Sequence, residues 1–130
     1  MSRNVIATES APSTIGSYSQ AIESGGTVFL SGQIPLVPET MKLVEGGLEA
    51  QLTQVFQNLE NVAKAAGGTL GDVVKVTIYL TDLSEYKVLN EVMQRFFSAP
   101  FPARAVVGVA ALPLGATAEA EAILVLGSSG

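Results

Sequence analysis

Arg104 is the only charged residue between Phe96 and Ala118, set in the apolar run Phe101-Pro102-Ala103-Arg104-Ala105-Val106-Val107-Gly108. A guanidinium stays ionised at any working pH, so inside a buried strand it requires a carboxylate, supplied by the protein or by a ligand. A structural ion pair and a side chain snorkelling to solvent are the plainer readings. Fifteen residues on, Glu119-Ala120-Glu121 places two carboxylates at strand period, both on one side of a sheet. A hairpin centred near Pro113 predicts these glutamates beside Val106 and Gly108, on the face that holds Arg104. A slip of one residue sends the set to opposite faces, and a solvated edge strand produces the same alternation. Taken together, the arginine can fork onto a substrate carboxylate while a glutamate orders or deprotonates water. Arg104 lowers the pKa of a glutamate close to it, whereas the second carboxylate raises one of the pair.

The composition bounds this chemistry. There is no cysteine and no histidine, which removes thiolate nucleophiles, Ser-His-Asp relays and nearly all zinc, copper and haem sites. No metal and no cofactor is expected. A net charge of -5 offers no basic field to a phosphate backbone or a lipid surface, so neither nucleic acid nor membrane is an expected partner. No signal core or spanning segment is visible, and the reading is a cytoplasmic protein. The 130 residues suit one domain, residues 1–126, with the terminal Gly-Ser-Ser-Gly at 127–130 as a flexible tail. Hydrophobic residues make up 48% and charged residues 15%, against about 25% charged in an average domain. So few charges leave surface that self-association would cover.

Other candidates carry weaker signals. Gly32, in Ser31-Gly32-Gln33-Ile34-Pro35, can admit a ligand to backbone N–H groups or simply end a strand. Gly67-Gly68-Thr69-Leu70-Gly71-Asp72 lacks the Gly-Lys-Ser/Thr ending of a phosphate loop and reads as a helix cap with a turn. Asn90 falls in an amphipathic helix where asparagine has poor propensity, facing solvent or bonding a pocket backbone. Tyr18 is either a pocket wall or interface packing.

The elements that must position these groups form an α+β domain of two helices and about six strands. Short strands are expected at Asn4–Thr8 and Tyr18–Ile22, the latter turning at Gly25-Gly26 into a strand at Thr27–Gln33. Leu48, Leu52, Val55, Leu59, Val62 and Ala66 recur at helical spacing up to Gly67-Gly68. Val73–Thr81 is a buried strand, followed by a helix capped at Asp82 or Ser84 with Val88, Val92 and Phe96 as its stripe. Ala103–Ala110 and Thr117–Leu126 are expected to close the chain as an antiparallel hairpin. The helix crossovers imply some parallel pairing, with both helices on one sheet face.

Four stretches in this order resemble the RidA (YjgF, L-PSP) family of enamine/imine deaminases: Ile15-Gly16-Ser17-Tyr18-Ser19-Gln20-Ala21, Ser31-Gly32-Gln33-Ile34-Pro35, the region of Asn90, and Phe101-Pro102-Ala103-Arg104 with Glu119-Ala120-Glu121-Ala122. The likeness covers about Ile6 to Leu126. It implies a chorismate-mutase-like fold, a homotrimer with clefts between subunits, and cofactor-free hydrolysis of 2-aminoacrylate, 2-iminopropanoate or 2-iminobutanoate to a 2-oxo acid and ammonia. By the same resemblance Arg104 holds the substrate carboxylate and Glu119 activates water. Backbone groups near Gly32 and Asn90 assist, Tyr18 and Ser31 line the cleft, and Val106 stands where many members carry a cysteine beside the ligand. Ser17 replaces a proline common in the family. A trimer that binds small carboxylates or 2-oxo acids without turnover is the alternative.

Overall fold

A computed structural model describes residues 2–129. Six strands form one sheet: β1 (Asn4–Ile6), β2 (Ala21–Ser24), β3 (Thr27–Gln33), β6 (Val73–Leu80), β7 (Ala103–Gly108) and β8 (Ala118–Val125). Their spatial order is β1-β2-β3-β8-β6-β7, and a small separate pair, β4 (Leu36–Val37) with β5 (Lys42–Leu43), follows β3. The β2–β3 hairpin turns on Gly25 and Gly26, both with positive φ (60° and 87°), as a two-residue turn matched to strand twist requires.

Helix α1 (Leu48–Ala65) buries Leu52, Val55, Phe56, Leu59, Val62 and Ala63, the stripe its period foretells. It ends where Gly67 at φ +90° lets the Gly67 and Gly68 N–H groups return to the Lys64 and Ala63 carbonyls. Two polar side chains, Gln51 and Asn58, are buried with the stripe. Asn58, fully buried, donates to the Leu36 carbonyl at 2.9 Å and accepts from Gln54, so it pins β4 to the helix. Helix α2 (Tyr86–Phe96) follows a single 3-10 turn capped by Asp82 and buries Leu89, Val92 and Met93. Val88 and Phe96, expected as its stripe, lie partly buried at the margin of the core. Opposite the helices, Val76, Ile78 and Leu80 of β6 and Ala118, Ala120, Ala122 and Leu124 of β8 complete the core. Each fully buried Val, Ile or Leu among them contributes about 1.5–3 kcal/mol by leaving water.

The last two strands are not a hairpin. β7 pairs in parallel with β6 after the α2 crossover, whereas β8 pairs antiparallel with both β3 and β6. The parallel crossover brings β7 to the same end of the sheet as β6. The link from β7, carrying the 3-10 turn Pro113–Gly115, therefore passes over the end of β6 before β8 starts back. Backbone bonds from Val109 to Leu80 and from Thr81 to Thr117 hold that crossing. Neighbours in sequence suggested a hairpin. Placing β8 between β3 and β6 instead gives it two partners, which suits a strand whose alternate residues are wholly buried.

Both helices cover one sheet face. The other carries a row in register, Val5, Ile22, Phe29 and Ile123, across four strands, with Val5 65% and Phe29 51% exposed.

Residues 127–129, expected to be loose, fold back on the turn before β6. Ser129 N–H donates to Asp72 Oδ1 at 2.8 Å, Ser128 Oγ donates to the Asp72 carbonyl at 3.0 Å, and Thr69 N–H donates to Asp72 Oδ2 at 3.0 Å. The Ser129 contacts, first of all its backbone N–H, hold the Asp72 carboxyl below its ordinary value against the opposing effect of burial. A depressed pKa stabilises the fold above the unfolded value, about 3.9, and that share is lost as pH falls through the folded value. Asp72→Asn is therefore expected to lower the urea midpoint at pH 7 and to differ progressively less from the parent below about pH 4. An equal gap in urea titrations at both pH values would refute this.

Candidate functional site

Residues paired across neighbouring strands point to the same side of a sheet, and pairing decides where the candidate groups go. Arg104 pairs with Val76, and Glu119 with Tyr79. Positions 76 and 79 of one strand lie on opposite faces. The expectation that arginine and glutamates share a surface is thus corrected: β6 lies between β7 and β8, and its register separates them. Val106 pairs with Ile78 and packs against the core below the helices. It therefore stands on the arginine's side of the sheet, away from Glu119.

Because β7 is an edge strand, Arg104 rises exposed beside α2 instead of entering the core. Its NH1 donates to Asn90 Oδ1 at 2.8 Å and lies 3.5 Å from Met93 Sδ, and its NH2 donates to the Tyr86 phenol oxygen. The guanidinium carbon stands 5.2 Å from the centre of the Tyr86 ring. All of these partners are neutral. Among the described residues the one ion pair joins Arg95 to Glu49 on the surface, so the structural ion pair considered for Arg104 is not what holds it. Tyr86 and Met93 were missed in the sequence, although Tyr86, Asn90 and Met93 follow one another at spacings of four and three on a single helix face.

On the opposite face, Glu119 lies above Gly32. A shift of register in β3 between Leu30 and Gln33 brings that glycine so close that a Cβ on it would stand 2.1 Å from Glu119 Oε2. Glu119 is part-buried, and burial first, then the charge of Glu121, raises its pKa above the ordinary carboxylate value. Glu121 accepts a hydrogen bond from Tyr79 at 2.8 Å, which in turn raises the tyrosine pKa. Since a like charge is the second cause of the Glu119 shift, Glu121→Gln is expected to lower the Glu119 pKa without returning it to the ordinary value. A carboxyl carbon-13 titration checks this, and an unmoved midpoint would refute it.

Glu119, Gly32, Ser31 and Tyr18 line one cleft of about 480 Å³, whose apolar wall includes Ile15 and Leu114. Gln20 fastens the loop that forms its rim. Buried, it accepts from the Thr8 N–H at 2.6 Å and donates to the Thr8 and Pro12 carbonyls at 3.0 and 2.8 Å. Ser31 Oγ donates to the Ser19 carbonyl at 2.6 Å, and the Tyr18 phenol accepts from the Ile15 N–H at 3.2 Å. Nothing in the sequence around Gln20 singles out this role. Of the seven residues expected at the site, then, four meet in this cleft, while Arg104 of β7 and Asn90 of α2 touch each other on the far face, with Val106 on the arginine's strand. Among the described residues no cluster of carboxylates suits a metal ion.

Comparisons with known proteins agree along nearly the whole chain. The family described as Endoribonuclease L-PSP matches residues 8–126. Reactive Intermediate Deaminase A, chloroplastic, from Arabidopsis thaliana is 47% identical over 95% of this chain, which spans 66% of that protein. The 2-iminobutanoate/2-iminopropanoate deaminase of Dermatophagoides farinae is 44% identical over 95% of this chain and 97% of its own. Among solved structures, RidA from an Antarctic Psychrobacter superposes with a TM-score of 0.92 at 52% identity, covering 95% of this chain and 99% of that one. TdcF of E. coli with bound serine gives 0.90 at 38%, covering 94% and 98%.

Proposed function

We propose, from the premise that this chain belongs to the Endoribonuclease L-PSP family, that it is an enamine/imine deaminase, the activity named in its relatives. Its substrates are 2-aminoacrylate, 2-iminopropanoate and 2-iminobutanoate, and its products a 2-oxo acid and ammonia. The observation that carries the reading is the partition of the site: a guanidinium held by neutral acceptors on one sheet face, and a part-buried glutamate in a cleft on the other.

Groups on opposite faces of one sheet can serve one small substrate only if different copies of the chain supply them. The half-exposed Val5 and Phe29 on the uncovered face favour such an assembly. We take it to be a homotrimer of chorismate-mutase-like subunits, with Arg104 of one subunit facing the Glu119 cleft of the next. Arg104 then forks onto the substrate carboxylate. Glu119, whose raised pKa makes it a better base than a solvated carboxylate, takes a proton from water as the oxygen adds to the C=N carbon. Glu119 then returns that proton to the amine nitrogen, the C–N bond breaks to release ammonia, and the carbinolamine hydroxyl gives its proton to the carboxylate as the C=O of the 2-oxo acid forms; 2-aminoacrylate enters this sequence as its imine tautomer. A reaction that proceeds unaided needs little more than a held carboxylate and a placed water. The serine in TdcF, itself a small carboxylate, is in keeping with the arginine's role.

The word endoribonuclease in the family description finds little support in a chain with net charge -5 and no histidine. No helix among the described residues is long and apolar enough to cross a membrane, and we place the protein in the cytoplasm. The test is ammonia and 2-oxo acid release from freshly generated 2-iminopropanoate, with light scattering to measure the mass. Acceleration over the unassisted rate by a species of three chains supports the reading. A carboxylate-dependent rise in Tm without turnover would establish the binding-protein alternative.

A further inference from the structure

Tyr86 is assigned no role by the relatives' names or by the sequence, yet it makes two contacts with the Arg104 guanidinium: its phenol oxygen accepts from NH2, and its ring faces the guanidinium carbon at 5.2 Å. We propose that Tyr86 is the positioning residue of the carboxylate anchor, fixing the plane and rotation of the guanidinium before substrate arrives. The inference rests on the reading of Arg104 given above.

A guanidinium has five N–H donors. Those on NH1 face Asn90 Oδ1 and Met93 Sδ, and one on NH2 is taken by Tyr86. The donors left over are Nε–H and the second N–H of NH2; a carboxylate bridges Nε–H with the NH2 hydrogen on the Nε side, so in this proposal Tyr86 takes the other one. Asn90 and Met93 hold the rigid plane at NH1, away from that edge. Tyr86 alone holds NH2, and its ring limits tilting of the plane. Arg104 is exposed on an edge strand, and an unrestrained arginine there would lose rotamer freedom on each binding event. The tyrosine accepts that loss in advance, at folding. Its own place is set by the geometry of α2, where it is the first residue, one turn before Asn90.

The consequence is specific to binding. Tyr86→Phe keeps the ring and removes the acceptor, so KM for 2-iminopropanoate is expected to rise about five- to tenfold with kcat within about twofold. The inhibition constant of the product-like 2-oxobutanoate should rise in parallel. Tyr86→Leu, which also removes the aromatic face, should raise both further, and Tm should change little in either variant because Tyr86 is 43% exposed. A purely structural tyrosine would instead lower Tm and active fraction with KM unchanged, and that result overturns the proposal. Arg104→Ala measured beside them separates two failures. If it is inactive while Tyr86→Phe matches the parent, the positioning role is wrong; if it is as active as the parent, the reading of Arg104 itself is wrong.

Discussion

Arg104→Ala is expected to lower kcat/KM for 2-iminopropanoate hydrolysis by at least about 100-fold, the loss that removing a charged two-bond anchor for a carboxylate brings. Stability should hardly move. The side chain is exposed, its partners are neutral, and alanine on an edge strand leaves the Val76, Ile78 and Leu80 core beneath the helices intact. The separation of arginine and glutamate on opposite sheet faces adds a sharper expectation. Mixed with Glu119→Gln chains in equal amounts and reassembled, Arg104→Ala chains should regain activity. In the proposed homotrimer, random association makes three quarters of the rings mixed, and each mixed ring has one of its three clefts with both groups intact, so about a quarter of the parent rate returns. If both groups acted from one chain, every chain in the mixture would carry a damaged site and no activity would return. Measuring ammonia release before and after mixing decides between the two.

The sequence was most legible where local rules and packing agree. The α1 stripe, the glycine pair that ends it, the β2–β3 hairpin and the β-branched β6 each satisfy propensity, periodicity and burial together. It was least legible where chain order and spatial order diverge. Residues 103–126 contain two strands and a short turn, for which a hairpin is the local solution. The insertion of β8 between β3 and β6 is a non-local choice, set by a core that buries every second residue of β8. That one misplacement reversed the face of Arg104 relative to Glu119. The residue types remain those of the proposal, and what the register corrects is the face on which Arg104 lies relative to Glu119. The two-residue strands β4 and β5 are too short to show a period. Gln20 was invisible for another reason: a buried amide that binds loop carbonyls has the same one-letter signature as a solvated one.

Gly32→Ala should also separate catalysis from folding, without removing any charged group. The backbone of Gly32 lies outside the left-handed region, so alanine is not strained by conformation. Its methyl group would stand 2.1 Å from Glu119 Oε2 and 3.1 Å from Cδ, where ordinary contact begins at about 3.5 Å. The carboxylate must retreat by more than an ångström. It can do so cheaply, being the end of a flexible side chain beside an open cleft, so Tm is expected to stay within a few degrees of the parent. On the proposed mechanism its displacement takes the base away from the attacking water, and a misplacement of that size costs about 100-fold in rate. KM should change little, because in the proposed site the substrate carboxylate is held by Arg104 and not by the displaced glutamate. The same substitution made in a Glu119→Gln chain should add almost nothing to the damage, since the group it displaces is already disabled. Independent losses that multiply in the double variant would mean that Gly32 acts through its own backbone N–H and not by making room for Glu119.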